Sequence, residues 1–291
     1  MEYWSIGVLS KDIKDGRFDD LLLALTHCSI TPTLHLLAKM IDGLKDKIVI
    51  VTGGAHGIGK AYCKGFAGAG AHVVIADIDK PGAEATASEI GAQALPIQVD
   101  VSNEDATKEM AAQVLDRCGR IDVLINNAAV FSVVPMNRGR IETIDPAEWD
   151  KLMAVNLRGL FFCCRAVLPA MRAQQSGKII NIASGTVFAG SPGRIHYVTS
   201  KTATIGFTRT LAREVGGDNI NVNCLAPGNT LSEENPNEET IRLRESSAGL
   251  RALKRVQVPQ DVVGAMLFLA SPLSDFMTGQ TVNVDGGISF L

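Results

Sequence analysis

The order of apolar and polar positions from residue 47 onward predicts alternating strands and helices. Short Val- and Ile-rich runs are apolar at nearly every position, as is typical of strands buried on both faces of a sheet. Between them, apolar residues recur at about 3.6-residue spacing, which is helical. This alternation predicts right-handed β-α-β crossovers, and therefore an α/β fold with a parallel sheet and helices on both faces. The strand-like runs are 47–52, 73–77, 95–100, 121–126, 178–183, 220–225 and 281–285.

The segment 43–291 contains no break in composition, no repeat and no low-complexity tract, so we expect it to form one domain. Residues 1–42 do not match this pattern. Their apolar run at 21–25 follows acidic residues and lacks the flanks of a secretory signal, and the excess of Asp over Arg argues against a transit peptide. We expect 1–42 to be an N-terminal extension and Met40 to be the natural start.

Composition narrows the function classes. The chain is 46% hydrophobic and 20% charged, which supports a sizeable core, and its net charge of −3 gives no electrostatic case for binding nucleic acid or an anionic membrane. No apolar run approaches the roughly 20 residues of a transmembrane helix. The six cysteines form no Cys-x-x-Cys pair. They indicate reduced thiols in a cytoplasmic protein, without a disulfide framework or metal site.

A glycine-rich turn follows the first predicted strand. Gly53, Gly57 and Gly59 separate that strand from a helical segment, and His56 and Ile58 lie within the turn. Such a turn places helix N-terminal amides where a pyrophosphate can bind, and the missing side chains allow close approach. The pattern favours dinucleotide binding, with a plain turn as the alternative.

The second predicted strand ends at Asp77, close to the position where an acid meets the adenosine ribose. A carboxylate there accepts hydrogen bonds from a free 2′-hydroxyl and repels a 2′-phosphate, so we predict NAD rather than NADP. His56 and Lys80 are the only nearby groups that favour a phosphate.

Two further strand ends are candidate cofactor contacts. Asp100 and Val101 follow the third strand and could hold the adenine, whereas Asn126 and Asn127 close the fourth, where small and amide residues suit a bound cofactor. An ordinary strand-to-loop turn is the alternative at both places.

Tyr197 and Lys201 are the strongest catalytic candidates. They are separated by one helical turn, so both lie on one face of a predicted helix over 197–215. A phenol with a pKa near 10 is a poor base at neutral pH, but a neighbouring ammonium lowers that pKa. An isolated pair of this kind is often only a surface pair. Ser184, at the end of the preceding strand, could donate to a substrate oxygen, and Asn156, in the helix after strand four, could hold a water or be a core amide.

These motifs together resemble the short-chain dehydrogenase/reductase family over residues 43–291. The resemblance implies a single Rossmann-type doubly wound domain, with a seven-stranded parallel sheet ordered 3-2-1-4-5-6-7. The motifs that carry it are 52–59, Asn126-Asn127-Ala128-Ala129, Asn156, Ser184, Tyr197-x-x-x-Lys201 and Pro227-Gly228.

The family also implies a mechanism. Tyr197, as phenolate, would take the alcohol proton while hydride passes to the nicotinamide. Lys201 would lower the pKa of Tyr197 and bond the nicotinamide ribose, Ser184 would orient the substrate oxygen, and Asn156 would hold a water that relays the proton.

The chain departs from the family pattern at a few positions. Ala129 replaces a glycine, and Ser232 stands where the family places a threonine that bonds the nicotinamide carboxamide after Pro227. Thr230 is expected to offer its backbone to the same amide. The acidic, turn-rich stretch that follows falls in the family's substrate lid, at about 230–255, and is otherwise a solvated loop.

The segments that correspond to the family's substrate contacts are mostly apolar. Phe131 and Phe188 could flank a flat or cyclic substrate or could be core packing, and His196 directly precedes Tyr197. No basic cluster is evident, although Arg138, Arg140 and Arg194 lie nearby. We therefore expect an apolar secondary alcohol and its ketone, aromatic or alicyclic, as in bacterial NAD-dependent secondary and aryl alcohol dehydrogenases.

Three alternatives stay open: an NADPH-dependent 3-ketoacyl reductase, a diol or sugar-alcohol dehydrogenase, and a cofactor-sensing protein without turnover. Asp77 argues against the first, and the intact Ser184, Tyr197 and Lys201 argue against the last. The family implies a homotetramer or homodimer, here through 105–118, 147–173, 197–215 and the C-terminal segment from Thr278 to Leu291.

Overall fold

The apolar runs form one parallel sheet of seven strands in the order β3-β2-β1-β4-β5-β6-β7, which confirms the predicted fold. The structure, a computed structural model, describes residues 43–131 and 136–290. The expected extension 1–42 with Met40, residues 132–135 of the substrate loop and the terminal Leu291 lie outside these ranges. The strands are β1 (Ile48–Thr52), β2 (His72–Asp77), β3 (Ala94–Gln98), β4 (Val123–Asn126), β5 (Gly177–Ile182), β6 (Ile220–Pro227) and β7 (Thr281–Val284).

Alternate side chains of β1 enter two separate cores. Ile48 and Ile50 pack in the core on one face of the sheet, and Val49 and Val51 pack in the core on the other. All are buried, and each such side chain stabilises the fold by roughly 1.5–3 kcal/mol. Burial on both faces is the reason that this strand reads as a continuous apolar run.

Helices cover both faces. The core with Ile50 includes residues of α3 and α5, and the core with Val51 includes residues of α1 and α9. The helices predicted over 105–118 and 197–215 begin one or two residues earlier, and the one over 147–173 is divided. The helices are α1 (Gly57–Gly68), α2 (Lys80–Ile90), α3 (Glu104–Cys118), α4 (Pro146–Met153), α5 (Gly159–Gln174), α6 (Thr186–Ala189), α7 (Ile195–Val215), α8 (Glu238–Leu250) and α9 (Gln260–Ala270).

A five-residue π-helix, Ala154–Arg158, joins α4 to α5 and carries Asn156. The continuous helical stretch Pro146–Gln174 is long and apolar enough to cross a membrane by length and composition alone. Core helices meet the same criterion, and Val167 and Met171 of this stretch are fully buried in the core beside the sheet. The expectation that the protein has no membrane partner stays a prediction.

The segment expected to be the substrate lid, with a solvated loop as the alternative, is non-helical over 231–237 and helical from Glu238. Helix α8 begins after Asn237, whose side-chain oxygen accepts from the N–H of Thr240 at 2.8 Å. Glu238 and Glu239 occupy its first turn, where acids are favoured by the helix dipole. The acidic stretch therefore spans a loop and the first turn of α8, and its role as a substrate lid stays a prediction.

The strand order reverses between β1 and β4, because β2 and β3 extend the sheet on one side and β5, β6 and β7 on the other. The loops that leave the carboxyl ends of β1 and β4 diverge at this point and open a crevice. Gly53, Asn127, Ser184 and Gly228 follow the carboxyl ends of β1, β4, β5 and β6.

Candidate active site and cofactor cleft

The glycine turn adopts backbone conformations that side chains resist. Gly53 and Gly57 have φ values of 65° and 54°, and a Cβ added to Gly59 would overlap the main-chain oxygen of Gly53. The turn then passes directly into α1. The glycines therefore make a cradle that fits a pyrophosphate against helix N-terminal amides.

The end of β4 is tied to this turn by Asn127 and Thr52. The Asn127 side-chain amide donates to the main-chain oxygens of Thr52 and Gly53, both at 3.0 Å. The Thr52 hydroxyl donates to the oxygen of Ile125 at 3.2 Å and accepts from the N–H of Asn127 at 3.0 Å. The sequence did not predict that Thr52 joins β1 to β4, although a hydroxyl residue at the end of an apolar strand could have indicated it.

Asp77 faces the glycine turn, as the NAD hypothesis requires. Its carboxylate accepts from the N–H groups of Ala55 and Asp79, each at 3.0 Å. The two cations that could favour a 2′-phosphate are each paired with an acid. His56 Nε2 lies 2.7 Å from Asp79, and Lys80 pairs with Glu84 at 3.8 Å. The hydrogen bond to Asp79 raises the pKa of His56 despite partial burial. Asp79, which the sequence did not single out, is the acid that compensates the charge of His56 at this end of the cleft.

The other predicted cofactor contacts lie around the same cleft. Asp100 is exposed, and its carboxylate accepts from the N–H and hydroxyl of Ser102 at 2.9 and 2.7 Å. Val101 is buried against Gly159 at the start of α5. Ile58 packs partly on the core behind the turn, so its main chain, rather than its side chain, faces a cofactor.

The segment after Pro227 lies across the glycine turn. The main-chain oxygen of Ser232 would stand 3.0 Å from a Cβ on Gly57. Thr230 is buried, and its hydroxyl donates to the oxygen of Gly228 at 3.1 Å. The bridge to Gln257 uses the N–H of the next residue, Leu231, which donates to the Gln257 oxygen at 2.8 Å. The structure thus places Ser232 against the cradle, while the expected use of the Thr230 backbone stays a prediction.

Glu234 continues this segment over the start of α1. Its carboxylate lies 3.7 Å from His56 Nδ1 and 3.6 Å from Lys60 Nζ. Neighbouring Glu233 points the other way and pairs with Arg244 of α8 at 2.6 Å. The lid therefore begins with one acid directed to each side of the crevice.

Ser184 is buried just beyond the end of β5. Its hydroxyl oxygen accepts from the Thr186 hydroxyl at 3.0 Å and from the Thr186 N–H at 3.3 Å. Since both acceptor positions are used, the Ser184 hydrogen is left to donate outward. Thr186 orients Ser184, a role that the sequence reading did not assign.

Tyr197 and Lys201 are both buried on the first turns of α7. Burial raises the pKa of Tyr197, while a hydrogen bond with Ser184 and the charge of Arg194 lower it. Burial lowers the pKa of Lys201 to about 8, and its ammonium donates to the main-chain oxygen of Ile182 at 2.8 Å. In this structure, Ser184 and Arg194, rather than Lys201, are the groups that favour the Tyr197 phenolate.

Asn156 links the π-helix to the loop after β4 and to α7. Its side-chain oxygen accepts from the N–H of Val130 at 2.8 Å, and its amide donates to the Ser200 hydroxyl at 3.1 Å. Since π-turns occur frequently at functional sites, this placement is consistent with a positioning role beside Tyr197.

The three substrate candidates lie in different surroundings. The Phe131 ring is 4.9 Å from the Tyr197 ring, centroid to centroid, beside the candidate catalytic group. Phe188 packs on the small core of Ala183, Ile205, Cys224 and Ala226. His196 is fully buried, with Nε2 3.6 Å from Glu148 and neither ring nitrogen hydrogen-bonded within the described part of the chain.

The charge of Arg194, which directly precedes α7, is influenced by other arginines. Arg194 lies half-buried, and burial together with the charges of Arg138 and Arg244 lowers its pKa. These three residues are far apart in sequence, and the expectation that no basic cluster is directed at a substrate anion stays a prediction. Across residues 43–131 and 136–290 no cluster of three His, Cys, Asp or Glu side chains could hold a metal ion.

Known proteins resemble the chain over most of its length. The family model described as enoyl-(acyl carrier protein) reductase matches residues 53–289. A 3-oxoacyl-[acyl-carrier-protein] reductase of Thermotoga maritima is 38% identical over 252 residues, covering 84% of this chain and 98% of the relative. A probable galactose dehydrogenase of Rhizobium meliloti is 39% identical over 264 residues, covering 88% and 100%.

A third relative is the (2S)-[(R)-hydroxy(phenyl)methyl]succinyl-CoA dehydrogenase subunit of Thauera aromatica, 36% identical over 85% of this chain and 98% of its own. Among solved structures, a 3-ketoacyl-(acyl-carrier-protein) reductase of Brucella melitensis complexed with NADH superposes with a TM-score of 0.79 at 31% identity. It covers 85% of this chain and 100% of its own. The chain therefore belongs to the short-chain dehydrogenase/reductase family of nicotinamide-dependent oxidoreductases.

Proposed function

We propose that the chain is an NAD-dependent oxidoreductase that interconverts a 3-oxoacyl group and the corresponding 3-hydroxyacyl group. The observation that carries the proposal is the convergence of Ser184 and Tyr197 beside a cradle that faces the Asp77 carboxylate. Relatives named as 3-oxoacyl reductases favour this substrate class over the apolar aromatic or alicyclic alcohol that the sequence suggested.

The residues that would hold the cofactor surround the crevice. The glycine turn and α1 would bind the pyrophosphate, Asp77 the adenosine ribose, Val101 and Asp100 the adenine, and Ser232 with Thr230 the carboxamide. The bound nicotinamide supplies the carbon that accepts or donates the hydride.

Tyr197 exchanges the proton with the substrate oxygen. In the reducing direction, its hydroxyl donates a proton to the carbonyl oxygen as hydride reaches the carbonyl carbon; oxidation reverses both transfers. Ser184 donates a hydrogen bond to the same oxygen, because Thr186 occupies its acceptor positions. Lys201, buried and bonded to Ile182, would turn toward the nicotinamide ribose and the proton path, with Asn156 holding that path in place.

The NAD preference rests on charge. Asp77 has no ion-pair partner in the described part of the chain, and the nearby cations His56 and Lys80 are paired with Asp79 and Glu84. A 2′-phosphate would meet uncompensated repulsion there, which disfavours the NADPH-dependent alternative.

The test is turnover with purified protein. Initial rates would be compared for NADH and NADPH with 3-oxobutanoyl N-acetylcysteamine thioester, a neutral aryl ketone and, in the reverse direction, an aldose. Among these three substrates, we expect the thioester with NADH to give the highest rate. Preference for the aryl ketone or the aldose would overturn the substrate class, and NADPH preference would overturn the cofactor assignment. Cofactor binding without turnover would support a sensing protein instead.

Assembly and location are part of the proposal. Phe161 is 43% exposed on the outer face of α5, near Phe207 of α7, on helices expected to meet a second copy. We propose a homodimer or homotetramer through this face, which light scattering would measure. A cytoplasmic location is proposed from the thiol pattern.

A further inference from the structure

Arg194 is fixed close to the candidate catalytic tyrosine. It directly precedes α7, and its main-chain oxygen accepts from the N–H of Val198 at 2.9 Å. Arg194 is the residue before α7 and lies three positions before Tyr197, which puts the two on the same side of the start of the helix. The charge of Arg194 lowers the pKa of Tyr197, in agreement with this placement. A group a few bonds from the reacting carbon is therefore within reach of the long Arg194 side chain.

The donors of Arg194 are largely unused. Among the described residues, its side chain bonds only to the Ser191 hydroxyl, with Nε at 2.9 Å, and no carboxylate lies within salt-bridge distance. A guanidinium has five N–H donors, so most of these remain for another partner. A half-buried cation without a counter-ion is costly, which indicates a site completed by an anion.

Two other arginines add to the positive charge. The N–H of Gly139 donates to the oxygen of Gly193 at 3.1 Å, which joins the loop of exposed Arg138 to the loop of Arg194. Arg244 reaches the same region from α8, but Glu233 neutralises it. The uncompensated charge therefore belongs to Arg138 and Arg194.

The acids near Arg194 already have hydrogen-bond or ion-pair partners of their own. Glu148 accepts from the Asn137 side-chain amide at 2.8 Å and from its main-chain N–H, and it faces buried His196. Glu233 is held by Arg244, and the lid acid Glu234 faces the cofactor side. None of them bridges to Arg194 in the described parts of the chain.

We propose that Arg194, assisted by Arg138, binds a free carboxylate of the substrate. The enzyme then prefers 3-oxo and 3-hydroxy acids to neutral ketones and thioesters. A carboxylate can accept two parallel N–H bonds from one guanidinium. The carboxylate is unchanged in the reaction, in which hydride from NADH and a proton from Tyr197 reduce the carbonyl. This inference rests on the proposed function and specifies its substrate.

The experiment compares 3-oxobutanoate with its methyl ester and its N-acetylcysteamine thioester, each with NADH. Variants are Arg194→Gln and, as the matched control, Arg140→Gln, whose exposed side chain pairs with Glu142 at 2.9 Å. We expect the wild type to favour the acid by about tenfold or more, and Arg194→Gln to lose about 10- to 100-fold in kcat/KM for the acid, mainly through KM. The esters and the control variant are expected to change little.

Equal use of acid and esters by the wild type, or an equal loss on all substrates in Arg194→Gln, would overturn the inference while leaving the proposed function intact. Turnover of none of them would count against the proposed function. The inference would then be decided by titrating 3-hydroxybutanoate into NADH-loaded Tyr197→Phe protein. Binding that Arg194→Gln weakens supports the carboxylate site, and absence of binding overturns it.

Discussion

Lys201 donates to the main-chain oxygen of Ile182 at 2.8 Å. The ammonium is thus anchored to the end of β5, the strand that also presents Ser184. Burial lowers its pKa to about 8, so a larger fraction of this lysine is neutral at pH 8 than of an exposed lysine. It is a group that can pass a proton, in addition to acting as a fixed charge.

Replacing Tyr197 with Phe tests the proton-transfer role. The variant keeps the ring that packs against Phe131 but removes the hydroxyl. We expect kcat to fall by about 100- to 10,000-fold, the range typical of a lost general acid or base, with NADH binding near normal. Stopped-flow rates and NADH fluorescence measure both. Thr199→Ala, an exposed change on the same turn, is the control, and substantial activity in Tyr197→Phe would refute the assignment.

Asp77→Asn tests the cofactor preference. The amide keeps the shape of the side chain and removes the charge that repels a 2′-phosphate. We expect the ratio of kcat/KM for NADP to that for NAD to rise by about tenfold, equivalent to roughly 1.4 kcal/mol of repulsion. Asp105→Asn, on the exposed start of α3, serves as the control. An unchanged ratio would remove Asp77 from the ribose site.

Gly59→Ala tests the phosphate cradle. The added methyl would overlap the main-chain oxygen of Gly53, so the turn must deform. We expect strongly weakened NADH binding and a lower melting temperature. Gly68→Ala in the same helix has open space around it and is expected to raise stability by up to about 1 kcal/mol. Equal NADH affinity in the two variants would contradict a cradle at Gly59.

Stability should depend on pH through Lys201. Its pKa is about 8 when folded and lies at its ordinary value of 10.5 when unfolded, so between these values the unfolded chain binds more protons. Its contribution to the free energy of unfolding therefore rises with pH across that window and is least favourable below it. Relative to Lys201→Met, we expect the wild type to gain up to about 1.4 kcal/mol per pH unit.

Urea unfolding of both proteins from about pH 7 to pH 10 measures this difference. The lost bond to Ile182 lowers the stability of the variant by a nearly constant amount, so it does not alter the slope. If the difference in the free energy of unfolding does not change with pH, the pKa of Lys201 is not lowered in the folded protein.

The pH profile of oxidation should respond to Arg194. Its charge lowers the pKa of Tyr197, against the larger effect of burial. Oxidation needs the phenolate, so the rate rises with pH, and Arg194→Gln should move the rising limb to higher pH. Arg194→Lys retains the charge, so its rising limb should lie at the same pH as that of the wild type. A neutral ester alcohol as substrate separates this effect from carboxylate binding.

Local patterns were enough to predict a parallel sheet and the spacing of Tyr197 and Lys201, whereas the strand order was implied by the family resemblance. Most strands are short runs rich in Val and Ile, and Tyr197 with Lys201 can be recognised within five consecutive positions on one helix. The sequence did not reveal the π-turn at Asn156, because one extra residue in a turn leaves the apolar period almost unchanged. The convergence of Arg138, Arg194 and Arg244 depends on contacts between loops distant in sequence, which no local pattern records.

Glu233 and Glu234 are consecutive, yet one holds Arg244 on the substrate side and the other faces His56 and Lys60 on the cofactor side. A displacement of this segment would therefore affect both sides of the crevice at once. We expect this to impose an order on the catalytic cycle, in which the dinucleotide is the first ligand to enter and the last to leave.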